Sequence, residues 1–174
     1  MLMAIQECNL DALQSFLVTK CDVNVKSKLG VTPLVMAALI GDLDVLDCLL
    51  QAKASSQIAA SGNARNPVLV AAQQGHLAVL RRLSKSQASL NCKNRHGANA
   101  ISLAVLKGHA EVLEFLVTAK VDSNAVDSLD GASPVYMAIC LRNHRILKIL
   151  LENAADPELV QMNGDTPVSL AIRK

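Results

Sequence analysis

Residues 30–50, GVTPLVMAALIGDLDVLDCLL, are too apolar for a solvated surface, yet Gly41, Asp42 and Asp44 interrupt the run. A membrane helix needs about 20 consecutive apolar residues, so this stretch falls short. The pattern divides into two pieces. Leu34 to Ile40 is apolar throughout. After the Gly-Asp break, Leu43, Leu46 and Leu50 recur at three- and four-residue steps with Val45 and Leu49 beside them, the spacing of a helix with one buried face. Leu77, Val79, Leu80 and Leu83 repeat that spacing. The prediction is a pair of short helices joined by a tight turn.

The pair recurs along the chain. TPLVMAA (32–38), NPVLVAA (66–72), NAISLAV (99–105), SPVYMAI (133–139) and TPVSLAI (166–172) follow at steps of 34, 33, 34 and 33 residues. A further partial copy opens the chain, with Met3-Ala4-Ile5 aligned to Met36-Ala37-Ala38 and residues 10–17 aligned to residues 43–50. Echoes at one period mean a repeat architecture.

Each copy follows one set of local rules. Thr32, Asn66, Asn99, Ser133 and Thr166 carry a side-chain oxygen that can accept from the free N–H groups of a first helical turn. Pro33, Pro67, Pro134 and Pro167 follow at the first helical position, where the missing N–H costs nothing. Gly41, Gly75 and Gly108 can take the left-handed conformation that ends a helix. Asp42, His76, His109 and Asn143 then stand where a second helix must be capped. Between copies lie the polar stretches KSKLG, ASGNA, KNRHG, DSLDG and QMNG, which read as projecting, hairpin-like loops.

The unit resembles the ankyrin repeat, whose pattern is a loop with Gly, then T-P-L-H-x-A-A, then G-H, a leucine-rich second helix and a closing G-A-D-V-N. The resemblance covers residues 1–174. It implies an all-α solenoid of helix-turn-helix units joined by hairpin-like loops, as a single array with units near 1–26, 27–60, 61–93, 94–127, 128–160 and 161–174, the first and last truncated. Two departures from the pattern are general. The His of T-P-L-H is replaced by Val35, Leu69, Ser102, Tyr136 and Ser169, so the hydrogen bonds it makes between neighbouring repeats must be missing or replaced. The Gly after the second helix is replaced by Lys20, Lys53, Gln87, Lys120 and Ala154. Positive φ at those residues would cost about 1 kcal/mol each relative to Gly.

The ends add an expectation of their own. Solenoids normally finish in repeats with a polar outer face, whereas this chain opens with Met1, Leu2 and Met3 inside a first helix and stops at Lys174 just after another first helix. That suggests a segment of a longer array, or an end covered by something else, including end-to-end self-association. The fifth unit's apolar face around Ile146, Ile149 and Leu150 is then expected to lack its cover.

Composition narrows the function. Hydrophobic residues make up 51% of the 174, but there are only two Phe, one Tyr and no Trp. An aliphatic core suits closely packed helices, whereas ligand pockets and nucleic-acid platforms favour aromatic rings. The net charge of +2, with no long basic run, nominates no nucleic acid and no anionic membrane. The local cluster Arg81, Arg82 and Lys85 reads as a solvated helix face. Cys8, Cys21, Cys48, Cys92 and Cys140 are odd in number and include no C-x-x-C pair, which argues against a disulfide framework and against a zinc site, and for the cytoplasm or the nucleus. The opening MLMAIQEC has neither a basic n-region nor a long h-region, so it does not read as a secretory signal.

No catalytic constellation appears. His76 and His109 occupy the G-H position, with a structural role in orienting the turn; His144 begins a second helix; His96 sits in the loop KNRHG, within reach of a ligand. No metal-ligand spacing, P-loop, nucleophile elbow or dinucleotide fingerprint occurs. The expectation is a chain that is not an enzyme, with no metal or cofactor.

What remains is a surface. The resemblance implies that partners bind loop tips and the exposed side of the first helices, on a concave face. Carried over position by position, the contact residues are Lys28, Leu29, Val31, Leu39 and Ile40 in the second unit. The third unit supplies Asn63, Arg65, Gln73 and Gln74, the fourth Arg95, His96, Leu106 and Lys107, and the fifth Leu129, Asp130, Cys140 and Leu141. Leu29, Val31, Leu39 and Ile40 either face solvent as an interaction patch or are covered by the neighbouring unit. Arg65 and Arg95 are the preferred anchors, because Arg is favoured at interface centres. The implied partner is another protein or peptide with apolar anchors and some acidic character. The alternative function is a targeting or regulatory segment of a larger enzyme, channel or secreted effector. Asn24, Asn91 and Asn124 stand at the Asn of the closing motif, where asparaginyl hydroxylation reads ankyrin proteins, or where an Asn simply bonds its own loop.

Overall fold

The computed structural model describes residues 1–7, 9–19, 21–56, 66–126, 131–162 and 164–173. Among the described residues there are eleven helices: α1 (Leu2–Gln6), α2 (Leu10–Val18), α3 (Pro33–Ile40), α4 (Leu43–Gln51), α5 (Pro67–Gln74), α6 (Leu77–Lys85), α7 (Ala100–Lys107), α8 (Ala110–Thr118), α9 (Pro134–Cys140), α10 (His144–Glu152) and α11 (Pro167–Arg173). No strand forms among those residues, only an isolated antiparallel bridge between Lys93 and Asn99. The fold is all-α, built of the predicted helix-turn-helix pairs.

The chain divides into two compact units, Met1–Ala71 with His76–Ser89, and Ala72–Gly75 with Leu90–Lys174. In the first, α1 packs on α2 and α3, α3 on α4, and α4 on both α2 and α6. Ile5, Leu13, Leu34, Leu46, Leu49, Leu80 and Leu83 are fully enclosed there. In the second, α7 packs on α8 and α9, α10 on α8 and α9, and α11 on α9. Ile101, Leu113, Leu116, Ile146 and Leu150 form its centre. Each such side chain is worth about 1.5–3 kcal/mol of burial. The first helices are lined with fully buried alanines, Ala37, Ala38, Ala71, Ala72, Ala104 and Ala138, small enough for backbones to approach closely. That is how a core almost without aromatics packs.

The face expected to be open at the fifth unit is closed. Ile146 and Leu150 are fully buried and Ile149 is 9% exposed, because α8 and α9 already enclose the apolar side of α10. Of the apolar residues of α10, only Leu151, on the other side of the helix, is exposed.

The five predicted first-helix caps form. Thr32, Asn66, Asn99, Ser133 and Thr166 accept from the N–H groups of Val35, Val68, Ser102, Tyr136 and Ser169 at 2.8–3.3 Å. Asp42 and Asn143 cap the second helices α4 and α10, and Asn9, not singled out from the sequence, caps α2. His76 and His109 do not cap the helices they precede. Instead Nε2 of His76 donates to the Leu39 carbonyl at 3.2 Å, and Nε2 of His109 donates to the Gln73 carbonyl at 3.1 Å. Those carbonyls belong to the last turns of α3 and α5, where no intrahelical partner is available. A carbonyl only accepts, so each Nε2 must carry the proton.

These rings supply part of the missing inter-repeat bonding. The closing asparagines supply more. Asn24 accepts from Ser55 N–H at 2.8 Å, Asn124 from Asp156 N–H at 2.8 Å, and Asn91 from Asp122 N–H at 3.4 Å. Each therefore bonds the loop one repeat further on, not its own. Gln161, buried and unforeseen, accepts from Ser133 N–H at 2.8 Å and donates to its hydroxyl at 3.4 Å. At the positions of the family's His, Val35 and Leu69 are simply buried, while Ser102 Oγ reaches the Ala125 carbonyl at 3.5 Å.

Positive φ occurs at Lys53, Gln87, Lys120 and Ala154, as the missing glycines require; Lys20 lies outside the described residues. Arg142 joins them at φ 52°, in the register of Gly41, Gly75 and Gly108. The left-handed conformation costs a side-chain-bearing residue about 1–2 kcal/mol.

Gly41 and Gly75 answer to a second constraint. A Cβ on Gly41 would lie 2.6 Å from the His76 ring, and one on Gly75 2.7 Å from His109, whereas a Cβ on Gly164 would meet nothing within 4 Å. In urea denaturation, Gly75→Ala should cost about 2–4 kcal/mol, strain plus overpacking, and Gly164→Ala only about 1–2 kcal/mol. Equal costs would show that the imidazole does not press on the glycine.

Candidate functional site

The candidate surface consists of loop tips and the last turns of the first helices. Loop 26–31 is closed by its own Ser27, whose hydroxyl accepts from Leu29 and Val31 N–H at 3.2 and 3.1 Å, while its N–H donates to the Val31 carbonyl at 2.9 Å. Loop 93–98 uses Asn94 in the same way, accepting from His96 and Ala98 N–H at 2.8 and 3.0 Å. A turn held by a short polar side chain puts the residues between at the tip. Lys28, Leu29 and Arg95 are exposed there, Leu29 by 78%, and His96 is half-buried. Arg95 Nε donates to His96 Nε2 at 2.8 Å, so the tip histidine already has a protein partner.

Of the apolar residues with two open readings, Leu29 faces solvent, whereas Val31, Leu39 and Ile40 are half-buried. The half-buried state at the end of α3 follows from His76, whose ring lies against Gly41 and bonds the Leu39 carbonyl. Gln73 is half-buried, its carbonyl taken by His109, and Gln74 is exposed. Leu106, Lys107, Cys140 and Leu141 are all exposed at the ends of α7 and α9. Asn63, Arg65, Leu129 and Asp130 lie outside the described residues, as do most of the loops ASGNA and DSLDG.

The first unit thus presents Lys28 and Leu29, and the second presents Gln74, Arg95, Leu106, Lys107, Cys140 and Leu141. Arg142, next to Leu141, is also exposed and was not singled out; its sign in the sequence is an arginine in the register where three other repeats place a helix-ending glycine and the first copy has Cys8. Lys107 and Arg142 make no ion pair with any described residue. By contrast Arg82 pairs with Asp47, Arg145 with Glu114, Lys148 with Glu152 and Lys93 with Asp122. The Arg81, Arg82, Lys85 face is therefore partly committed to a neighbouring helix, through Asp47 of α4.

Among the described residues no three His, Cys, Asp or Glu side chains gather as metal ligands, and no helix is long and apolar enough to cross a membrane. The arrangement offers polar and apolar contact residues on rigid helix ends and short tight loops, the equipment of a binding surface.

A family model for ankyrin repeats matches three times, at residues 1–94, 36–127 and 101–174. The chain belongs to the ankyrin repeat family. Ankyrin repeats are a protein–protein interaction module. Relatives of this ankyrin repeat chain include the ankyrin repeat protein YahD of Escherichia coli (strain K12), 28% identical over 98% of this chain and 87% of that protein. The nuclear factor NF-kappa-B p105 subunit of Gallus gallus is 29% identical over 86% of the chain, and the human neurogenic locus notch homolog protein 1 is 29% identical over 85%. The chain spans 16% and 6% of those two proteins.

The cysteines give an independent test of which ankyrin surfaces are open. Burial pushes the Cys92 thiol up to about 11 from 9.0, since a thiolate loses its hydration there, while Cys21 and Cys140 are exposed. Iodoacetamide at neutral pH should alkylate Cys140 and Cys21 at least about tenfold faster than Cys92, as read by peptide mapping. The same burial stabilises the fold below the ordinary thiol value of 9.0 and is lost as pH rises towards about 11. Equal rates at Cys92 and Cys140 would contradict the assigned burial.

Proposed function

We propose that this chain is a non-catalytic protein-recognition module that binds a partner protein or peptide through its loop tips and first-helix ends. The observation that carries the reading is the pairing of exposed leucines with exposed cations at those places, Leu29 beside Lys28 and Leu106 beside Lys107. Apolar side chains left in solvent mark interaction sites, and the adjacent cations favour a partner with acidic character. The near absence of aromatic rings and a net charge of only +2 favour protein over nucleic acid as that partner. Free thiols at Cys21, Cys48, Cys92 and Cys140 support a reducing home, the cytoplasm or the nucleus.

A second reading has its own support. The chain spans only a small part of p105 and of the notch homolog. It would then be the targeting or regulatory segment of a larger protein, an enzyme, channel or secreted effector. The reading frame on both sides of these residues distinguishes the two.

The test of recognition is affinity capture from the native cell with the wild-type chain and with Arg65→Glu/Arg95→Glu, followed by titration of the captured protein. Affinity should fall about tenfold or more in the double variant. Unchanged affinity would move the site away from these loop tips.

A further inference from the structure

The ends of the first helices are not equivalent. At α3 and α5 the imidazoles of His76 and His109 lie on Gly41 and Gly75 and take up the Leu39 and Gln73 carbonyls. At α7 the corresponding residue is Asn143, whose Oδ1 turns to Ile146 N–H of its own helix at 3.1 Å. Its Nδ2 stays 3.8 Å from the place of a Cβ on Gly108. Residues 39–41 are accordingly half-buried, whereas 106–108 and 140–142 are exposed throughout, Leu106 by 50% and Leu141 by 47%. α7 and α9 pack on each other within the second unit, and Asn143, next to Arg142, lies against Gly108, so their open ends are neighbours.

The chemistry of this patch is mixed in a particular way. Two leucines stand beside two cations, Lys107 and Arg142, neither of which pairs with a described carboxylate. Arg142 also holds φ 52° where three other repeats place glycine. A residue kept in a strained conformation that a smaller one would adopt freely is a pointer to function. The left-handed turn lets Asn143 N–H reach the Ala138 carbonyl at 3.0 Å, a bond that glycine would serve as well, so what the arginine adds at this position is its side chain.

We infer that Leu106, Lys107, Leu141 and Arg142 form the docking site for a peptide segment of a partner protein, one that sets two apolar side chains next to carboxylates, with Arg142 as its charged anchor. The inference rests on the recognition reading above and narrows it to one place and one chemistry. The leucines take the apolar side chains, and Lys107 and Arg142 take the carboxylates, Arg through its two-pronged geometry. None of the four is aromatic, so a stacked nucleobase has no platform here.

The test selects peptides from a displayed random dodecapeptide library on the full chain, and then titrates a fluorescein-labelled winner against variants. Winners should carry Leu, Ile or Phe within a few residues of Asp or Glu. Their affinity should fall about tenfold in Arg142→Gly and in Lys107→Glu, and weaken with added salt. Arg142→Gly should at the same time leave Tm unchanged or raise it by about 2 °C, since glycine relieves the strain. A merely structural arginine would move Tm down and affinity little. Winners without acidic residues, or winners indifferent to both variants, would overturn this site while leaving recognition intact. A selection that enriches no peptide would overturn this peptide-docking site, while the capture from the native cell decides the recognition reading.

Discussion

The contact on which the arrangement turns is an imidazole of one repeat resting on the left-handed glycine of the repeat before it. A helix of two turns leaves as many carbonyls unpaired at its end as it pairs along its length. His76 and His109 each satisfy one such carbonyl across the repeat boundary, and their rings fit only because Gly41 and Gly75 have no Cβ. One residue type therefore meets three needs: it ends a helix, it admits the neighbour's ring, and it keeps the polar end from being buried unpaired. The asparagines at the closing loops act in the opposite direction along the chain. Their side-chain oxygens reach forward to backbone N–H groups of the next repeat. Each bond contributes only about 0.5–1.5 kcal/mol net, but together they help set the register between neighbouring repeats.

The same device decides where the surface is open. A histidine in that register covers a helix end and an asparagine does not, so Leu39 and Ile40 are half-buried where Leu106 and Lys107 stand in solvent. Stability and recognition are separated residue by residue: His76 spends its ring on its neighbour, while Asn143 caps its own helix and leaves Leu106 and Lys107 in solvent.

The repeat period, the caps at Thr32, Asn66, Asn99, Ser133 and Thr166, and the strained turns at Lys53, Gln87 and Lys120 were legible because each follows from neighbours in sequence. The ties between repeats were not. Whether His76 caps its own helix or the one some forty residues earlier depends on tertiary placement, and the same holds for Asn24 and Gln161. The closure of Ile146, Ile149 and Leu150 failed as an expectation for a related reason: the helices that enclose them precede them in the chain, so nothing after them was required. Of the surface residues named from repeat register, Leu29, Arg95, Leu106, Lys107 and Leu141 lie in solvent. Register could not rank them, because exposure at Leu39 and Leu106 is set by which side chain arrives from the adjoining repeat.

The most direct measurement is nitrogen-15 NMR of the two bridging histidines in the neutral form. The expected result is the Nε2–H tautomer for both His76 and His109, with the ring proton visible as a slowly exchanging resonance because it is held by the Leu39 and Gln73 carbonyls. His96, whose Nε2 accepts from Arg95, serves as the internal contrast and should show no such proton. An Nδ1–H tautomer at His76 or His109, or a ring proton in fast exchange with water, would contradict the inter-repeat tie.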